Sequence, residues 1–444
     1  MNRRHFLLGG AAMATLQKMA RSSPNDTIRI AVVGVGDPDI GVRGQGRVHL
    51  QQFPVMPNVE VAAICEVDPR LMAYGQGLVE KLGKKKPAAI TDMRRVLDDK
   101  SIDVVTIATP DHLHAMQSIW ACQAGKDVYL EKPCSHSVFE NRQVVAAAHK
   151  YDRIVQHGVN ARSGGAIREA VQKMREGLIG DVYMTRGVVF QWRPSIGRAK
   201  VEPVPPGVDY DLWLGPAPKR EFTRNRFHYN WHWMWEYGCG ELGNQGAHEL
   251  DIARWGLGVK LPTKVSAIGD HILYDDDQDT PNTMLCTWEF NEGGKKKLMS
   301  FEIRPWLSGT EAGLGDNARS TPGKFRIVGN EFFGTKGYLV VEGYDRYKSF
   351  LGEKGEPGPS KVEGGNNYAN FIDALRTRDK SKLNGPIEEG ALSVMLVHLA
   401  NISYRVGRSL NIDPKTGDVI GDAEASRLFR RAKYRAPFVV PDKV

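Results

Sequence analysis

The distribution of apolar residues from 27 to about 158 predicts strands that alternate with helices. Short β-branched runs recur along this part of the chain: IRIAVVGVG, VEVAAICEVD, IDVVTIATP, DVYLEKP and RIVQHGV. Between them lie amphipathic stretches with the length of helices, such as 112–124 and 137–150. This alternation is typical of βαβ units, and it predicts a doubly wound parallel sheet of the Rossmann type over residues 25–158.

After residue 158 the pattern changes to that of a different kind of sheet. Alternating segments such as VYMTRGVVFQW, KVSAIGDHILY and TMLCTWEF predict strands with one buried face. Residues 366–408 return to a helical pattern, and the Gly- and Pro-rich stretch 352–367 predicts a surface loop. We therefore expect an α/β protein whose N-terminal Rossmann domain is followed by an α+β domain, 159–444, with a large open, mostly antiparallel sheet.

Composition and charge narrow the class of protein. The 444-residue chain is 41% hydrophobic and 25% charged, which is typical of a globular protein and excludes fibrous and disordered classes. Half of the formal net charge of +8 comes from Arg3, Arg4, Lys18 and Arg21, in a stretch without acids. The rest of the chain carries too little positive charge to indicate nucleic-acid binding. Five cysteines without a CxxC pair predict free thiols or small buried residues.

The first 24 residues predict an export signal. They combine Arg3 and Arg4 with an apolar run from Phe6 to Leu16, as in twin-arginine (Tat) signals. The run is too short to span a bilayer permanently. We expect the Tat machinery to export a folded, cofactor-loaded protein to a bacterial periplasm. A basic disordered start is the alternative.

The stretch GVGDPDIGVRGQGRVH directly follows the first strand and predicts a phosphate-binding turn. Glycines at this place let the backbone approach a pyrophosphate, which lies at the amino end of the next helix. Gly34 and Gly36 fit the usual GxGxxG spacing, whereas six residues separate Gly36 from Arg43 and Gly44. We expect these four residues to bind a dinucleotide, although an ordinary glycine turn remains an alternative.

The second strand ends in CEVD, where an acid can accept hydrogen bonds from the adenosine ribose. Glu66 occupies this place, and a carboxylate there repels a 2′-phosphate and so favours NAD over NADP. Asp68 precedes Pro69 and therefore fits the N-cap of the next helix better. We assign the ribose to Glu66 and the cap to Asp68.

Two further segments, TPDHLHA and EKP, end predicted parallel strands, where ligands of open α/β sheets bind. They place five residues beside the expected cofactor: Pro110, His112, His114, Glu131 and Lys132. His112 and His114 lack the Cys or acid cluster that would complete a metal site, so we predict no metal. Lys132 can exchange a proton with a substrate from this position, but a surface lysine in a turn is the alternative.

The stretch GCGELGNQGAHELDIARW sets Asn244, His248 and Asp251 at spacings that share one face of a helix. Its glycines indicate close backbone approach to a ligand. Asp251 could hold the His248 imidazole in one tautomer, or it could pair with Arg254. The alternative to a catalytic His248 is a histidine satisfied in a core.

In the stretch FHYNWHWMWEYG, Trp231, Trp233 and Trp235 alternate. In an extended segment they would share one face and could stack on a sugar ring. We therefore name Trp233 and Trp235, with Asn244, as substrate-binding residues. Packing in a core or a subunit interface is the alternative for the tryptophans.

In this order, TPDHLHA, EKP and GCGELGNQGAHELD resemble the Gfo/Idh/MocA family of oxidoreductases, over residues 27 to about 410. The resemblance implies hydride transfer between bound NAD(P) and a sugar or cyclitol, and an open sheet through which subunits associate as a homo-oligomer. It also implies that Lys132 and His248 are catalytic. The family commonly has Asp where this chain has Asn244, so the proton relay differs here.

We therefore expect an exported oxidoreductase with tightly bound NAD that acts on a sugar or glycoside. His248, helped by Lys132, takes the hydroxyl proton of the substrate. Two alternatives remain: an NAD-dependent glycosidase of the same family that oxidises its sugar transiently, and a non-catalytic sugar-binding protein. Export favours the glycosidase, because the periplasm offers no free NAD pool.

Overall fold

The structure is a computed structural model that describes residues 26–40, 44–305, 314 and 326–444. The predicted export signal, 1–24, and the predicted cofactor residue Arg43 lie outside the described residues. Two sheets form the framework of the part that is described. The helix Ile387–Val406 packs into the cores of both sheets.

The first sheet has, within the described residues, six strands in the order β3-β2-β1-β4-β5-β6. Its strands are β1 (Ile28–Val33), β2 (Val59–Cys65), β3 (Ala88–Ile90), β4 (Val104–Ile107), β5 (Asp127–Leu130) and β6 (Val155–His157). The intervening helices are α1 (Gln45–Gln52), α2 (Pro69–Lys81), α3 (Met93–Asp98), α4 (Asp111–Gln123) and α5 (Val138–Lys150). All paired strands are parallel, so the predicted Rossmann sheet is confirmed.

Strand order in this sheet reverses between β1 and β4, and dinucleotides bind at such a switch point. All residues of β4 and β5 are buried, since helices cover both faces of the sheet. The predicted helices 112–124 and 137–150 correspond to α4 and α5. Asp68 accepts a hydrogen bond from the amide of Arg70 at the start of α2, which confirms the predicted N-cap.

The second sheet has, in the described ranges, nine strands in the order β14-β13-β12-β11-β7-β10-β9-β8-β15. Its strands are β7 (Val182–Gln191), β8 (Lys264–Asp270), β9 (Thr283–Glu292), β10 (Lys295–Arg304), β11 (Arg326–Gly334), β12 (Gly337–Glu342), β13 (Arg346–Leu351), β14 (Glu356–Val362) and β15 (Leu410–Asn411). Only the pairing of β10 with β7 is parallel among the pairs described. The predicted open, mostly antiparallel sheet is therefore confirmed.

The prediction of a surface loop over 352–367 is wrong, because residues 356–362 form strand β14. This strand pairs with β13 on one side and is the edge of the sheet. Pro357 and Pro359 lack the N–H that an interior strand must donate, but an edge strand tolerates their absence. The prolines therefore led us to predict a loop where the chain forms an edge strand.

The helices of the second half are α6 (Gly165–Arg175), α7 (Tyr210–Leu214), α8 (Gly240–Asn244), α9 (Gly246–Leu257), α10 (Asn367–Thr377), α11 (Ile387–Val406) and α12 (Ala423–Arg427). Helix α10 packs into the core of the first sheet through Phe371 and Leu375. Helix α11 contributes Val394 to that sheet's other layer and Leu399 to the core of the second sheet. Residues far along the chain thus complete the Rossmann core.

All five cysteines lie in the described ranges, and each is buried and unpaired, as the sequence predicts. No described helix has both the length and the apolar character needed to cross a membrane. Among the described residues there is also no group of three potential metal ligands from His, Cys, Asp and Glu.

Candidate active site

A cavity of about 600 Å³ begins at the turn after β1 and passes the carboxyl ends of β2, β4 and β5. It ends against α8, α9 and the end of β7, and its size suits a small-molecule ligand. Most of the predicted site residues line it: Gly34, Gly36, Gly44, Glu66, Pro110, His114, Glu131, Lys132, Asn244 and His248. His112, Trp233 and Trp235 do not.

The glycine turn after β1 leaves no room for side chains. Gly34 and Gly36 have φ of +82° and +85°, which disfavours other residues. A Cβ on Gly46 would lie 1.8 Å from the carbonyl oxygen of Gly34, so Gly46 is a third required glycine that the sequence analysis missed. Helix α1 starts here without a side-chain cap from Gly44. The amide of Arg47 donates to the backbone oxygen of Val35, and the other N–H groups of the first turn fit a pyrophosphate.

Glu66 ties the end of β2 to this turn. Its carboxylate accepts hydrogen bonds from the amides of Val35 at 2.9 Å, Val67 at 2.8 Å and Asp68 at 3.2 Å. Burial raises the pKa of Glu66, and these three amides oppose the rise. Because Glu66 also lines the cavity, it can meet a ribose there while it holds the turn in shape.

His228 closes the same end of the cavity from the second half of the chain. Its Nε2 lies 3.2 Å from an oxygen of Asp68 and 3.7 Å from an oxygen of Asp37. Burial opposes the ionisation of Asp68, but the hydrogen bond from His228 and the one from the Arg70 amide hold its pKa below the usual value. The sequence analysis missed His228, since it belongs to no spaced motif.

His114 and His112 have different surroundings, although they lie two residues apart in α4. Nδ1 of His114 is 2.7 Å from the carbonyl oxygen of Pro133, and Nε2 is 2.7 Å from that of Thr109. Burial lowers the pKa of His114, and the neutral ring has a single N–H, which donates to one of these two carbonyl groups. His112 instead packs in the core, with Nε2 2.9 Å from the carbonyl oxygen of Trp213. Two helix positions turn a side chain to the other face, so the predicted cofactor contact of His112 is not formed.

Glu131 and Lys132 follow β5 and point to different partners. Glu131 is buried, and its carboxylate is 3.1 Å from Nε2 of His49. Burial favours protonation of Glu131, but the hydrogen bond and charge of His49, together with the charges of Lys132 and His114, lower the pKa of the carboxyl. Lys132 extends across the cavity, where Nζ donates a hydrogen bond to the backbone oxygen of Asn244 at 2.5 Å.

Asn244 can hold the lysine because the helix breaks after it. Helix α8 ends at Asn244 and α9 begins at Gly246, so the last carbonyl groups of α8 have no helical partners. The predicted single helix through Asn244, His248 and Asp251 is therefore wrong. Asn244 and His248 nevertheless line the same cavity.

His248 lies in the first turn of α9 and is partly buried. Its Nδ1 has no hydrogen-bond partner among the described residues. Burial and the positive charge of Lys132 hold the pKa of His248 well below its ordinary value. The imidazole is therefore neutral at pH 7 and can accept a proton.

Asp251 serves neither role that the sequence suggested. Its carboxylate pairs with Arg162, with distances of 2.7 Å to Nε and 2.9 Å to Nη2, and accepts a hydrogen bond from Ser393 at 2.7 Å. Arg254 pairs with Glu389 instead. Asp251 lies where α9 packs against α11, so it joins two elements rather than orienting His248.

The predicted extended segment of tryptophans is wrong, because residues 230–233 form a 3₁₀ turn. Trp231 lines the cavity, whereas Trp233 packs against the guanidinium of Arg193 and Trp235 against that of Arg405. The three rings therefore do not share a face. Trp233 and Trp235 do not reach the cavity as the predicted substrate-binding residues.

Several cavity residues escaped the sequence analysis because no motif marks them. Gln191 ends β7 and Arg193 follows it, Arg326 begins β11, Tyr344 follows β12, and Tyr229 lies between two 3₁₀ turns. Arg193 donates hydrogen bonds to Glu241 at 2.9 and 3.1 Å and to the Tyr229 hydroxyl at 3.0 Å. Oε1 of Gln191 has no partner among the described residues. For Gln191, a polar residue at the end of the apolar run VVF was the available signal.

Comparison with known proteins agrees with this architecture. Residues 28–159 match the Gfo/Idh/MocA oxidoreductase family's NAD-binding Rossmann fold, and residues 166–298 and 354–440 match its C-terminal alpha/beta domain. The crystal structure of the WlbA dehydrogenase from Bordetella pertussis, in complex with NADH and UDP-GlcNAcA, has a TM-score of 0.62 at 20% identity. The match covers 87% of this chain and 99% of that one.

Two curated relatives are similar in sequence. A levoglucosan dehydrogenase of Pseudarthrobacter phenanthrenivorans is 28% identical over 318 residues, 69% of this chain and 73% of that protein. A glycosyl hydrolase family 109 protein of Shewanella pealeana is 29% identical over 209 residues, 41% of this chain and 44% of that protein. The chain thus spans less than half the length of that glycosyl hydrolase. The glycine turn and Glu66 fit NAD as the cofactor, and the chain belongs to the Gfo/Idh/MocA family of oxidoreductases.

Proposed function

We propose that this protein is an NAD-dependent oxidoreductase that transfers a hydride between the nicotinamide and a sugar, cyclitol or glycoside. The observation that carries the proposal is the single cavity that contains both the glycine turn with Glu66 and the pair Lys132 and His248. Cofactor-binding groups and proton-handling groups therefore face one ligand space. A site of this kind suits oxidation of a carbinol.

NAD, when bound, supplies the hydride acceptor. The neutral His248 imidazole accepts the proton of the substrate hydroxyl while the carbinol carbon loses its hydride and becomes a carbonyl carbon. Lys132, held by the Asn244 carbonyl, donates a hydrogen bond to the reacting oxygen. The side-chain amide of Asn244 takes no proton at neutral pH. The part of Asn244 is to fix the position of Lys132 through its backbone oxygen.

A second candidate function is that of an NAD-dependent glycosidase, which oxidises its sugar transiently, eliminates the aglycone and reduces the ring again. The relatives named glycosyl hydrolase family 109 proteins favour it. The dehydrogenase comes first because the relative named levoglucosan dehydrogenase matches over a larger share of both chains. Both functions use the same cofactor and the same proton-handling residues.

The experiment that tests the proposal has two steps. The purified protein is denatured and the released nucleotide is identified, and the native protein is then mixed with a panel of sugars and glycosides. A lasting rise in the absorbance of reduced nicotinamide supports the dehydrogenase. Release of the aglycone without net reduction supports the glycosidase. NAD retained without any turnover would contradict both and favour a sugar-binding protein.

Export through the Tat route is part of the same proposal, and Arg3 and Arg4 with the apolar run after them support it. Changing both arginines to lysine should leave a folded, NAD-loaded protein in the cytoplasm. Fractionation of cells, with nucleotide content measured in each fraction, checks this. Normal export of the variant would point to the general secretion route.

We also propose that the second sheet joins subunits into a homo-oligomer. Ile268 on β8 and Leu285 on β9 are cross-strand neighbours, and their side chains are 67% and 50% exposed. Exposed apolar residues that adjoin on a sheet favour association. Light scattering should report a smaller particle for the variant with Ile268→Lys and Leu285→Lys, and an unchanged mass would refute this interface.

A further inference from the structure

Tyr344, in the turn between β12 and β13, occupies a place beside the proposed base. Its ring centroid is 5.0 Å from that of His248, and both residues line the cavity. The hydroxyl of Tyr344 is 3.2 Å from Oε1 of Glu249 and also contacts Nε2 of Gln245. The Glu249 side chain is fully buried behind this hydroxyl.

Tyr344, Glu249 and Gln245 can form two hydrogen-bond networks. The networks differ in whether Glu249 carries a proton and in the direction of the Tyr344 O–H. When Glu249 is ionised, it accepts hydrogen bonds from Gln245 and from the Tyr344 hydroxyl, so Tyr344 can only accept from a ligand in the cavity. When Glu249 is protonated, its own O–H donates to Tyr344. The Tyr344 oxygen then accepts from Gln245 and Glu249, and its O–H is free to donate into the cavity.

The surroundings of Glu249 favour the protonated form at neutral pH. No cation forms an ion pair with the Glu249 carboxylate among the described residues. Asn330 of β11 donates a hydrogen bond to the backbone oxygen of Glu249, at 2.9 Å, and not to the carboxylate. Arg326 of β11 acts on it only through space, and His248 beside it in α9 is neutral. Burial raises the pKa of Glu249 to about 8, against the opposing hydrogen bonds of Gln245 and Tyr344.

We propose that Tyr344 determines substrate specificity by donating a hydrogen bond to an oxygen that carries no proton, such as the ring or glycosidic oxygen of a glycoside. Glu249 is its positioning residue, because protonated Glu249 turns the Tyr344 proton toward the cavity. The proposal rests on the proposed function, since it names the part of the sugar that the cavity recognises. A ring or glycosidic oxygen can only accept, so glycosides lose this contact when Glu249 ionises, whereas a cyclitol hydroxyl can donate to Tyr344 instead.

The test uses the NAD-loaded protein and the panel glycoside that binds it most tightly in calorimetry. The dissociation constant is measured from about pH 6 to about pH 9, across the pKa of Glu249 near 8. Wild-type affinity should weaken as the pH passes 8, since Tyr344 then offers no donor. Glu249→Gln places an amide donor next to Tyr344, so its affinity should no longer depend on pH in this range.

Tyr344→Phe should raise the dissociation constant about tenfold at neutral pH and remove its pH dependence, because the loss of one well-aligned donor has this size. Tyr338→Phe is the matched control: Tyr338 is on β12, stacked on Phe350 and away from the cavity. Its affinity should equal that of the wild type. Thermal melting of each variant checks that the fold is retained.

An independent readout is the infrared carbonyl band of a protonated carboxyl group in the protein without added sugar. The difference between the spectra of the wild type and Glu249→Gln should contain this band at neutral pH and lose it above pH 8, which separates Glu249 from Asp111, whose pKa burial raises to about 7. Presence of the band in this difference at every pH below 8 supports the proposal, and its absence overturns it. Equal affinity of wild type and Tyr344→Phe would also overturn it. Binding of glycosides without any turnover counts against the proposed reaction alone and leaves this inference supported.

Discussion

At the cofactor end of the cavity the ligand space is shaped by backbone, whereas at the other end it is shaped by side chains from the second half of the chain. The Glu66 carboxylate accepts hydrogen bonds from three backbone amides at this end, and the glycine turn leaves no room for a Cβ. Nδ1 of His248 and Oε1 of Gln191 have no partner among the described residues. At the cofactor end the free groups are backbone N–H groups of α1, whereas at the other end side-chain groups remain free for the substrate. Substitutions should therefore separate cofactor retention from turnover.

The largest expected effect is on turnover. His248→Ala should lower kcat on the order of a hundredfold or more, which is the usual contribution of a general base. The NAD content should stay unchanged, because His248 lies at the far end of the cavity from the glycine turn. Steady-state kinetics and the absorbance of bound nucleotide measure the two effects. His149→Ala is the control, since His149 is exposed and pairs with Glu388. Loss of both folding and NAD in His248→Ala would show a structural role instead.

The next effect should appear at the cofactor end alone. Gly46→Ala places a Cβ within 1.8 Å of a backbone oxygen, so the turn must move, at a cost of about 1–3 kcal/mol. We expect the purified variant to contain little NAD and to melt at a lower temperature. Gly77→Ala in helix α2 is the matched control, because nothing lies within 4 Å of its added Cβ. That substitution should be neutral or slightly stabilising. Full NAD content in Gly46→Ala would contradict the assigned turn.

A smaller loss of affinity is expected from Glu66→Ala, at least about tenfold in the dissociation constant of NAD, because the charge-assisted contact to the ribose is lost together with three hydrogen bonds from backbone amides that hold the turn. Glu66→Gln keeps one acceptor oxygen for these amides but turns its NH2 group towards the others, so its affinity should lie between those of Glu66→Ala and the wild type. Titration of NAD into nucleotide-free protein measures both variants. If neither variant changes the affinity, the ribose assignment is wrong.

The smallest effect should come from Asn244→Ala. The oxygen that holds Lys132 at 2.5 Å is a backbone atom, which alanine retains, and Oδ1 of Asn244 lies 3.5 Å from Nζ. We expect a rise in KM of about threefold with kcat nearly unchanged. A loss as large as that of His248→Ala would mean that the amide itself takes part in the reaction.

The parallel sheet could be read from the sequence because its signals are local. Buried strands appear as continuous apolar runs, and Glu66, Lys132 and Pro110 each adjoin the end of such a run. The chain order of these motifs then places them at one edge of a parallel sheet. Gly34, Glu66 and Lys132 accordingly line one cavity.

The other wall of the site could not be read in this way, because its residues meet only through tertiary contacts. Tyr344 and Arg193 come from strand ends far apart in sequence, and no spacing links them to His248. Asp251 lies at a helical spacing from His248, yet it pairs with Arg162, which is 89 residues away in sequence. The break at Gln245 also changes the face on which Asn244 lies, and helix periodicity does not reveal such a break.

The packing of α10 and α11 against the first sheet has a consequence for how the protein is made. A ribosome completes all six strands of that sheet, and then the strands β7 to β14, before it synthesises α10. Until that moment Ile30, Val32 and Tyr129 lack the cover that Phe371 and Leu375 provide. The newly synthesised cofactor domain therefore keeps this apolar surface exposed until α10 and α11 have been translated. Chaperone binding during synthesis should persist until residues 367–406 leave the exit tunnel, and NAD should be acquired only after that point.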